Sequence, residues 1–267
     1  MGQYPTSTPA DDCSGCDRGL ATMPTDVSLP LQSGLEISGV LALPSSPGPH
    51  PVVIVIHEAF DIDDSMRAHV DRLARAGYLA IMPNLFSRGG ARKCLLATFR
   101  ALMSGCGVAF DDIEATKQWA LARSDTTDKV GVIGFCMGGG FALMLAGRGY
   151  DAASVNYGQV PRDAEQILTN ACPIVGSFGG EDRTMKGMGA RLEKVLVKLQ
   201  VPHDVKEYPH TGHGFLNEFP AGPAWSRMVL KRVMGVTTNP EAAPDSWNRI
   251  TTFFDTYLYS SNPRGKK

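Results

Sequence analysis

Short apolar runs alternate with segments of helical periodicity along most of the chain. The β-branched run at residues 51–57 is typical of a strand that is buried on both faces. Met66, Val70 and Leu73 are spaced by three and four residues, which predicts one buried face of a helix. Gly77 is a suitable residue to end that helix.

The same patterns define the remaining elements. The predicted strands cover residues 35–43, 51–57, 78–83, 130–134, 152–157, 173–178 and 205–208. Helical patterns cover residues 91–103, 111–123, an apolar segment directly after residue 136, residues 185–199 and a closing segment that includes Trp247 and Phe254. Repeated strand–helix alternation predicts an α/β fold, a mainly parallel sheet with helices on both faces.

No shift in composition divides the chain, so we interpret residues 26–267 as a single α/β domain. Residues 1–25, rich in Pro, Ser, Thr and Asp, are interpreted as a flexible leader. The leader contains Cys13 and Cys16, but no second cysteine pair follows to complete a zinc ribbon. The segment 216–245 is long for a connection, so we expect it to form a cap or an insertion beside the site.

Composition excludes several classes of function. Hydrophobic residues make up 43% and charged residues 20% of the chain, and the formal net charge is −1. A charge so close to zero gives no general attraction to nucleic acid or acidic membranes. No apolar run approaches the roughly 20 residues of a membrane helix, and no secretory signal is visible. We therefore expect a cytoplasmic protein without nucleic-acid or membrane partners.

The motif Gly134-Phe135-Cys136-Met137-Gly138 stands between a predicted strand and a predicted helix. This pattern is typical of a nucleophile elbow, here with cysteine at its centre. The glycines leave room for a strained turn, and the following helix N-terminus favours negative charge on the sulfur. The amide of Met137 would then face a developing oxyanion. The alternative is a glycine-rich turn that contains a structural cysteine.

An elbow of this kind requires an acid and then a histidine further along the chain. Asp182 and His213 each follow a predicted strand, at the sheet edge where α/β proteins bind their ligands. We predict that Asp182 orients the base and that His213 is the base. Glu181 is the alternative orienter, and His210 is the alternative base.

Five segments together resemble the dienelactone hydrolase family in their order and spacing. They are HEAF at 57–60, PNLFSR at 83–88, GFCMGG at 134–139, GED at 180–182 and HGF at 213–215. The resemblance extends from about residue 30 to the end of the chain. It implies an α/β-hydrolase fold, a cysteine nucleophile and the opening of an ester or lactone.

The resemblance also implies roles for residues outside the triad. Glu58 would lie beside the thiol and regulate its proton, and the amide of Ala59 would be the second oxyanion donor. Arg88 would bind a substrate carboxylate, for which its planar fork is well suited. Phe60 is expected to contact the substrate. Because an unpartnered carboxylate at the end of a buried strand is costly, Glu58 is expected to have a function.

One position departs from the family pattern. Members that cleave dienelactone have a second arginine four residues after the catalytic histidine, where this chain has Asn217. Loss of one charge-assisted hydrogen bond would weaken binding of an anionic lactone by about 1.5–3 kcal/mol. A general carboxylesterase or thioesterase that acts on another substrate is therefore the alternative function.

The sequence thus predicts two-step acyl transfer on a small ester or lactone through a thioester acyl-enzyme. No G-x-G-x-x-G motif or Walker lysine follows a predicted strand, so neither a metal nor an organic cofactor is expected. An alternative of another class is a redox sensor or binding protein that uses Cys136. A sensor would not require the acid–histidine pair.

Overall fold

The computed structural model describes residues 22–31, 34–219 and 239–259. The strands in these ranges form a single eight-stranded sheet in the order β1-β2-β4-β3-β5-β6-β7-β8. Their bounds are β1 (Thr25–Pro30), β2 (Glu36–Ala42), β3 (His50–Ile56), β4 (Leu79–Pro83), β5 (Thr126–Phe135), β6 (Ala152–Asn156), β7 (Ile174–Gly179) and β8 (His203–Tyr208).

The described helices connect these strands and close the fold. They are α1 (Asp64–Arg75), α2 (Ala91–Ser104), α3 (Val108–Leu121), α4 (Met137–Leu145), the short α5 (Ala164–Ile167), α6 (Met188–Leu199) and α7 (Ala242–Phe254). A π-helical segment, Asp255–Tyr259, continues α7.

The sheet is mainly parallel, as predicted. Strands β1, β2 and β4 pair antiparallel, whereas every neighbouring pair from β4 and β3 across to β8 is parallel. The sequence patterns did not predict β1, because polar residues occupy several of its positions and only Leu29 is buried. Thr25, assigned to the leader, is the first residue of this edge strand.

Strand β3 explains why its sequence is apolar throughout. Val52, Ile54 and Ile56 pack into one core, which α2, α3, α4 and α6 cover. Val53 and Val55 pack into a second core on the opposite face, which α1 and α7 cover. A strand with helices on both faces has no solvent-facing side, so it shows no polar alternation. The predicted two-sided coverage of the sheet is confirmed.

Two predicted segments fall largely outside the described residues. Of the leader, only residues 22–25 are described, and Cys13 and Cys16 are not among them. Of the expected cap, residues 220–238 likewise lie outside the described ranges. Residues 242–245 form the first turn of α7, and the cap over 216–245 stays a prediction.

Among the described helices, no single one is long and apolar enough to cross a membrane. The pair α2 and α3 meets the length and composition criteria only together, with a bend of 83° between them. Part of α3 packs into the core through buried residues such as Phe110 and Ile113.

Candidate active site

Cys136 lies at the tip of β5, immediately before α4, in a strained turn. Its backbone has φ 54° and ψ −115°, a region that residues with a side chain rarely adopt. A Cβ atom at Gly134 would stand 1.9 Å from the carbonyl oxygen of Gly138. A Cβ atom at Gly138 would stand 2.2 Å from the carbonyl oxygen of Ile56. Only glycine fits both positions, so the elbow motif reflects real steric limits.

His213 and Asp182 form a buried hydrogen-bonded pair. Nδ1 of His213 donates to Oδ2 of Asp182 at 2.5 Å, and both side chains are buried. Oδ1 of Asp182 accepts from the amide and hydroxyl of Thr184 and from the amide of Met185. Burial acts to raise the pKa of Asp182, but His213 and Thr184 hold the pKa below its usual value. The carboxylate therefore stays charged and keeps the imidazole in one orientation.

The same pair changes the charge of the histidine. Burial acts to lower the pKa of His213, but Asp182 and the thiol of Cys136 outweigh it and raise the pKa to about 10. Nε2 of His213 is buried and has no well-aligned hydrogen-bond partner within the described ranges, while Cys136 interacts with the ring. We therefore describe His213 near neutral pH as an imidazolium that can donate a proton from Nε2.

The alternative base and orienter pair with each other on the surface. Nδ1 of His210 lies 3.3 Å from Oε1 of Glu181, and the His210 side chain is 88% exposed. An imidazole so exposed, and paired with Glu181, is less suited to act on Cys136 than the buried His213.

Glu58 is buried at the end of β3 and has two hydrogen-bond donors. Nδ2 of Asn217 donates to Oε1 at 3.0 Å, and the hydroxyl of Tyr157 donates to the same oxygen at 3.4 Å. Burial raises the pKa of Glu58, although the charge of His213 acts in the opposite direction. Ala59 and Phe60 follow in a half-buried turn.

Sequence reasoning gave no role to two residues that shape this region. Nδ1 of His57 donates to the carbonyl oxygen of Glu58 at 2.7 Å, and its Nε2 accepts from the amide of Leu85 at 3.1 Å. Burial lowers the pKa of His57, so the ring remains neutral and connects the two loops that carry Glu58 and Arg88. The ring of Tyr157 lies 4.9 Å from that of His213. His57 was visible in the HEAF segment, but Tyr157 had no motif to mark it.

Arg88 is already bound to a carboxylate of this chain. Its Nη2 and Nε donate to the two carboxylate oxygens of Asp112 in α3, at 2.6 and 3.3 Å. The Asp112 side chain is buried, whereas that of Arg88 is half-exposed. A substrate carboxylate would therefore share the guanidinium with Asp112.

Asn217 occupies the position of the second family arginine, but its side chain is committed within the protein. Its amide bridges Glu58 and the buried His69 of α1. It thus acts on Glu58 without adding a positive charge to the site.

A cavity of about 630 Å³ lies beside α4. Its lining includes Gly140, Met144, Val160 and Arg191, and none of the predicted site residues is part of it. We therefore do not assign the substrate to this cavity.

The strand order, the elbow after β5 and the acid and histidine after β7 and β8 define an α/β-hydrolase. Solved structures share this fold. A "Putative Dienelactone Hydrolase" from Klebsiella pneumoniae matches with a TM-score of 0.73 and 24% identity, over 90% of this chain and all of that one. A dienelactone hydrolase from Anabaena variabilis matches with a TM-score of 0.66 and 21% identity, over 89% of this chain and all of that one.

Sequence comparison identifies the family. A model of the dienelactone hydrolase family matches residues 37–258. A "Putative carboxymethylenebutenolidase" from Synechocystis is 32% identical over 254 residues, which cover 88% of this chain and 97% of that protein. The chain therefore belongs to the dienelactone hydrolase family. It is a hydrolase that acts on carboxylic ester or lactone bonds.

The raised pKa of His213 predicts how stability depends on pH. Folding raises the pKa from 6.5 to about 10, so the folded state binds this proton more tightly. The resulting stabilisation is complete below about pH 6.5 and is lost as the pH rises through about 10. The difference in unfolding free energy between wild type and His213→Gln should therefore shrink from pH 6.5 to 10 in urea titrations.

His210→Gln is the matched control, because it makes the same substitution at an exposed histidine outside the buried pair with Asp182. A wild-type advantage over His213→Gln that does not change with pH would show that His213 is not held as an imidazolium.

Proposed function

We propose that this hydrolase opens an ester or lactone by two-step acyl transfer, with Cys136 as the nucleophile and a thioester as the acyl-enzyme. The observation that carries the proposal is a strained cysteine at the N-terminus of α4 together with a buried Asp182–His213 pair. Apart from its interaction with Cys136, Nε2 of His213 has no hydrogen-bond partner among the described residues. The positive end of the helix and the imidazolium both favour negative charge on the sulfur.

In the first step the thiolate of Cys136 attacks the carbonyl carbon of the substrate. A carbon–sulfur bond forms, and the carbonyl π electrons move to the oxygen, which the amides of Met137 and Ala59 would stabilise. As the first residue of α4, Met137 has no acceptor in a preceding turn of that helix for its amide. The carbon–oxygen bond then breaks, and the leaving oxygen takes the proton from Nε2 of His213.

In the second step His213 is neutral and removes a proton from water. The hydroxide attacks the thioester carbonyl, the carbon–sulfur bond breaks, and the sulfur leaves as a thiolate. His213 is again an imidazolium, so both the base and the nucleophile are restored. Asp182 holds the Nδ1 proton throughout and keeps Nε2 directed at the reaction.

The proposal also gives roles to Glu58, Arg88 and Phe60. Glu58 would act as the proton partner of the thiol when no substrate is bound, a role that burial supports by favouring its protonated form. Arg88 would orient a carboxylate on the substrate, and Phe60, two residues after Glu58, would pack against its apolar part. The substrate is a small ester or lactone that carries at most a modest negative charge.

A general carboxylesterase or thioesterase is the second candidate, and the surroundings of Arg88 and Asn217 favour it. Asp112 occupies part of the Arg88 guanidinium, and Asn217 adds no charge to the site. A dianionic substrate would therefore lack the pair of cations that it needs. A redox sensor built on Cys136 is less well supported, because it would not use a buried acid–histidine pair.

Removing any member of the proposed triad should remove most of the activity. We expect Cys136→Ala, His213→Gln and Asp182→Asn each to lower kcat/KM for an aryl ester by about 1,000-fold or more. Because the three groups act together, the triple variant should lose little more than Cys136→Ala alone. Steady-state kinetics with matched protein concentrations measure both effects.

Cys106→Ala and His210→Gln are the controls, since both residues are exposed and should leave kcat/KM within about twofold. Full activity of Cys136→Ala would refute the cysteine mechanism.

Substrate charge distinguishes the two candidate functions. If Arg88 binds a substrate carboxylate, Arg88→Leu should raise KM for a carboxylate-bearing lactone about tenfold, equal to about 1.4 kcal/mol. The same variant should barely change KM for a neutral aryl ester of similar size.

Arg92→Leu removes an equal charge from an exposed position nearby in sequence and should affect neither substrate. Equal effects of Arg88→Leu on the anionic and the neutral substrate would favour the general esterase.

A further inference from the structure

A buried series of hydrogen bonds connects α1 to the carboxyl group of Glu58. His69 is fully buried, and its Nε2 lies 3.0 Å from Oδ1 of Asn217. Nδ2 of Asn217 donates to Oε1 of Glu58 at 3.0 Å. Neither His69 nor Asn217 takes part in the acyl transfer described above, so their arrangement needs its own explanation.

The chemistry of Glu58 sets the direction of each hydrogen bond. Oε1 of Glu58 accepts from Nδ2 of Asn217 and from the hydroxyl of Tyr157, so the amide oxygen of Asn217 faces His69. The ring of His69 must then donate from Nε2 as the neutral tautomer. Burial lowers the pKa of His69 to about 4, so the ring is neutral at neutral pH. Its Nδ1 has no hydrogen-bond partner among the residues the structure covers.

Packing keeps His69 in this orientation. Its ring stacks on Phe135, with centroids 4.2 Å apart and planes at 21°. Trp247 of α7 lies 5.2 Å from the ring. Phe135 immediately precedes Cys136, so the nucleophile strand and the closing helix together hold the ring that directs Asn217.

Burial and four neighbouring side chains act on the pKa of Glu58. Burial has the largest effect and raises the pKa of Glu58, and the charge of Asp63 adds to this. The charge of His213 and the hydrogen bonds from Asn217 and Tyr157 lower the pKa. Within this set Asn217 provides a hydrogen bond but no charge.

The charges nearest His69 oppose each other. Arg72 acts to lower the pKa of His69 and Glu218 acts to raise it, and these two side chains form an ion pair. The uncharged ring is thus compatible with its surroundings.

We propose that His69 and Asn217 are positioning residues. They form a neutral hydrogen-bonded pair that fixes the Glu58 carboxyl without placing a positive charge beside it. An arginine at position 217 would form an ion pair with the carboxyl and weaken its affinity for the thiol proton. The amide holds the same oxygen and leaves that affinity higher. The inference rests on the proposed function, in which Glu58 is the proton partner of Cys136.

Titration of the Glu58 carboxyl in the full chain tests this role without depending on turnover. The carboxyl resonance can be followed by carbon-13 NMR of glutamate-labelled protein and assigned with Glu58→Gln. Because a hydrogen bond to the carboxylate lowers its pKa, Asn217→Leu should move the Glu58 titration to higher pH by about one unit or more. Asn170→Leu, at an exposed position, should leave it unchanged.

Two variants of His69 separate positioning from packing. His69→Gln retains an amide donor near the position of Nε2, whereas His69→Leu retains apolar volume and loses the donor. The positioning role predicts a titration close to wild type in His69→Gln and a shift to higher pH in His69→Leu. The acid limb of the kcat/KM pH profile should move with the titration in each variant. A purely structural role predicts equal behaviour of the two variants.

The outcomes are distinct from those that test the mechanism. An unshifted Glu58 titration in folded Asn217→Leu, or equal titrations in the two His69 variants, overturns the positioning role and leaves the cysteine mechanism intact. If Asn217→Leu does not fold, the His69 pair decides alone. Full activity of Cys136→Ala would instead overturn the proposed function, whatever the titration shows.

Discussion

The close packing of the first turn of α4 on the end of β3 sets the geometry of the whole site. A Cβ atom at Gly138 would collide with the carbonyl oxygen of Ile56 at 2.2 Å, so the helix can approach this closely only with glycine. Glu58 and Ala59 follow the end of that strand by two and three residues, and Cys136 comes directly before that helix. The contact therefore brings the nucleophile, its proposed proton partner and both proposed oxyanion donors to one edge of the sheet.

Burial of charge is the second constraint, since each buried ionisable group must be paired or neutral. Asp182 is satisfied by His213, Thr184 and the amide of Met185. Glu58 is held by Asn217 and Tyr157. These hydrogen bonds fix the side chains in place before any substrate arrives, which lowers the reorganisation that the reaction requires.

The sequence predicted the parts of this protein that are determined by local pattern or by strict sterics. The apolar run of β3 reflects burial on both faces, and the glycines around Cys136 reflect close backbone contacts; the family resemblance followed from such segments. The edge strand β1 was missed because its residues are mostly exposed. The bridge from His69 to Asn217 spans 148 positions, and the Asp112 partner of Arg88 lies on another helix. Contacts between distant side chains leave no periodic signal in the sequence, so they required the structure.

Trapping the acyl-enzyme tests the central claim most directly. The full chain would be mixed with an activated ester, quenched in acid at successive times, digested and analysed by mass spectrometry. The account predicts one acyl group on Cys136, formed and lost at rates that support kcat, and none on the exposed Cys106. Turnover at the normal rate without an adduct on Cys136, or with a kinetically competent adduct on another residue, would contradict it.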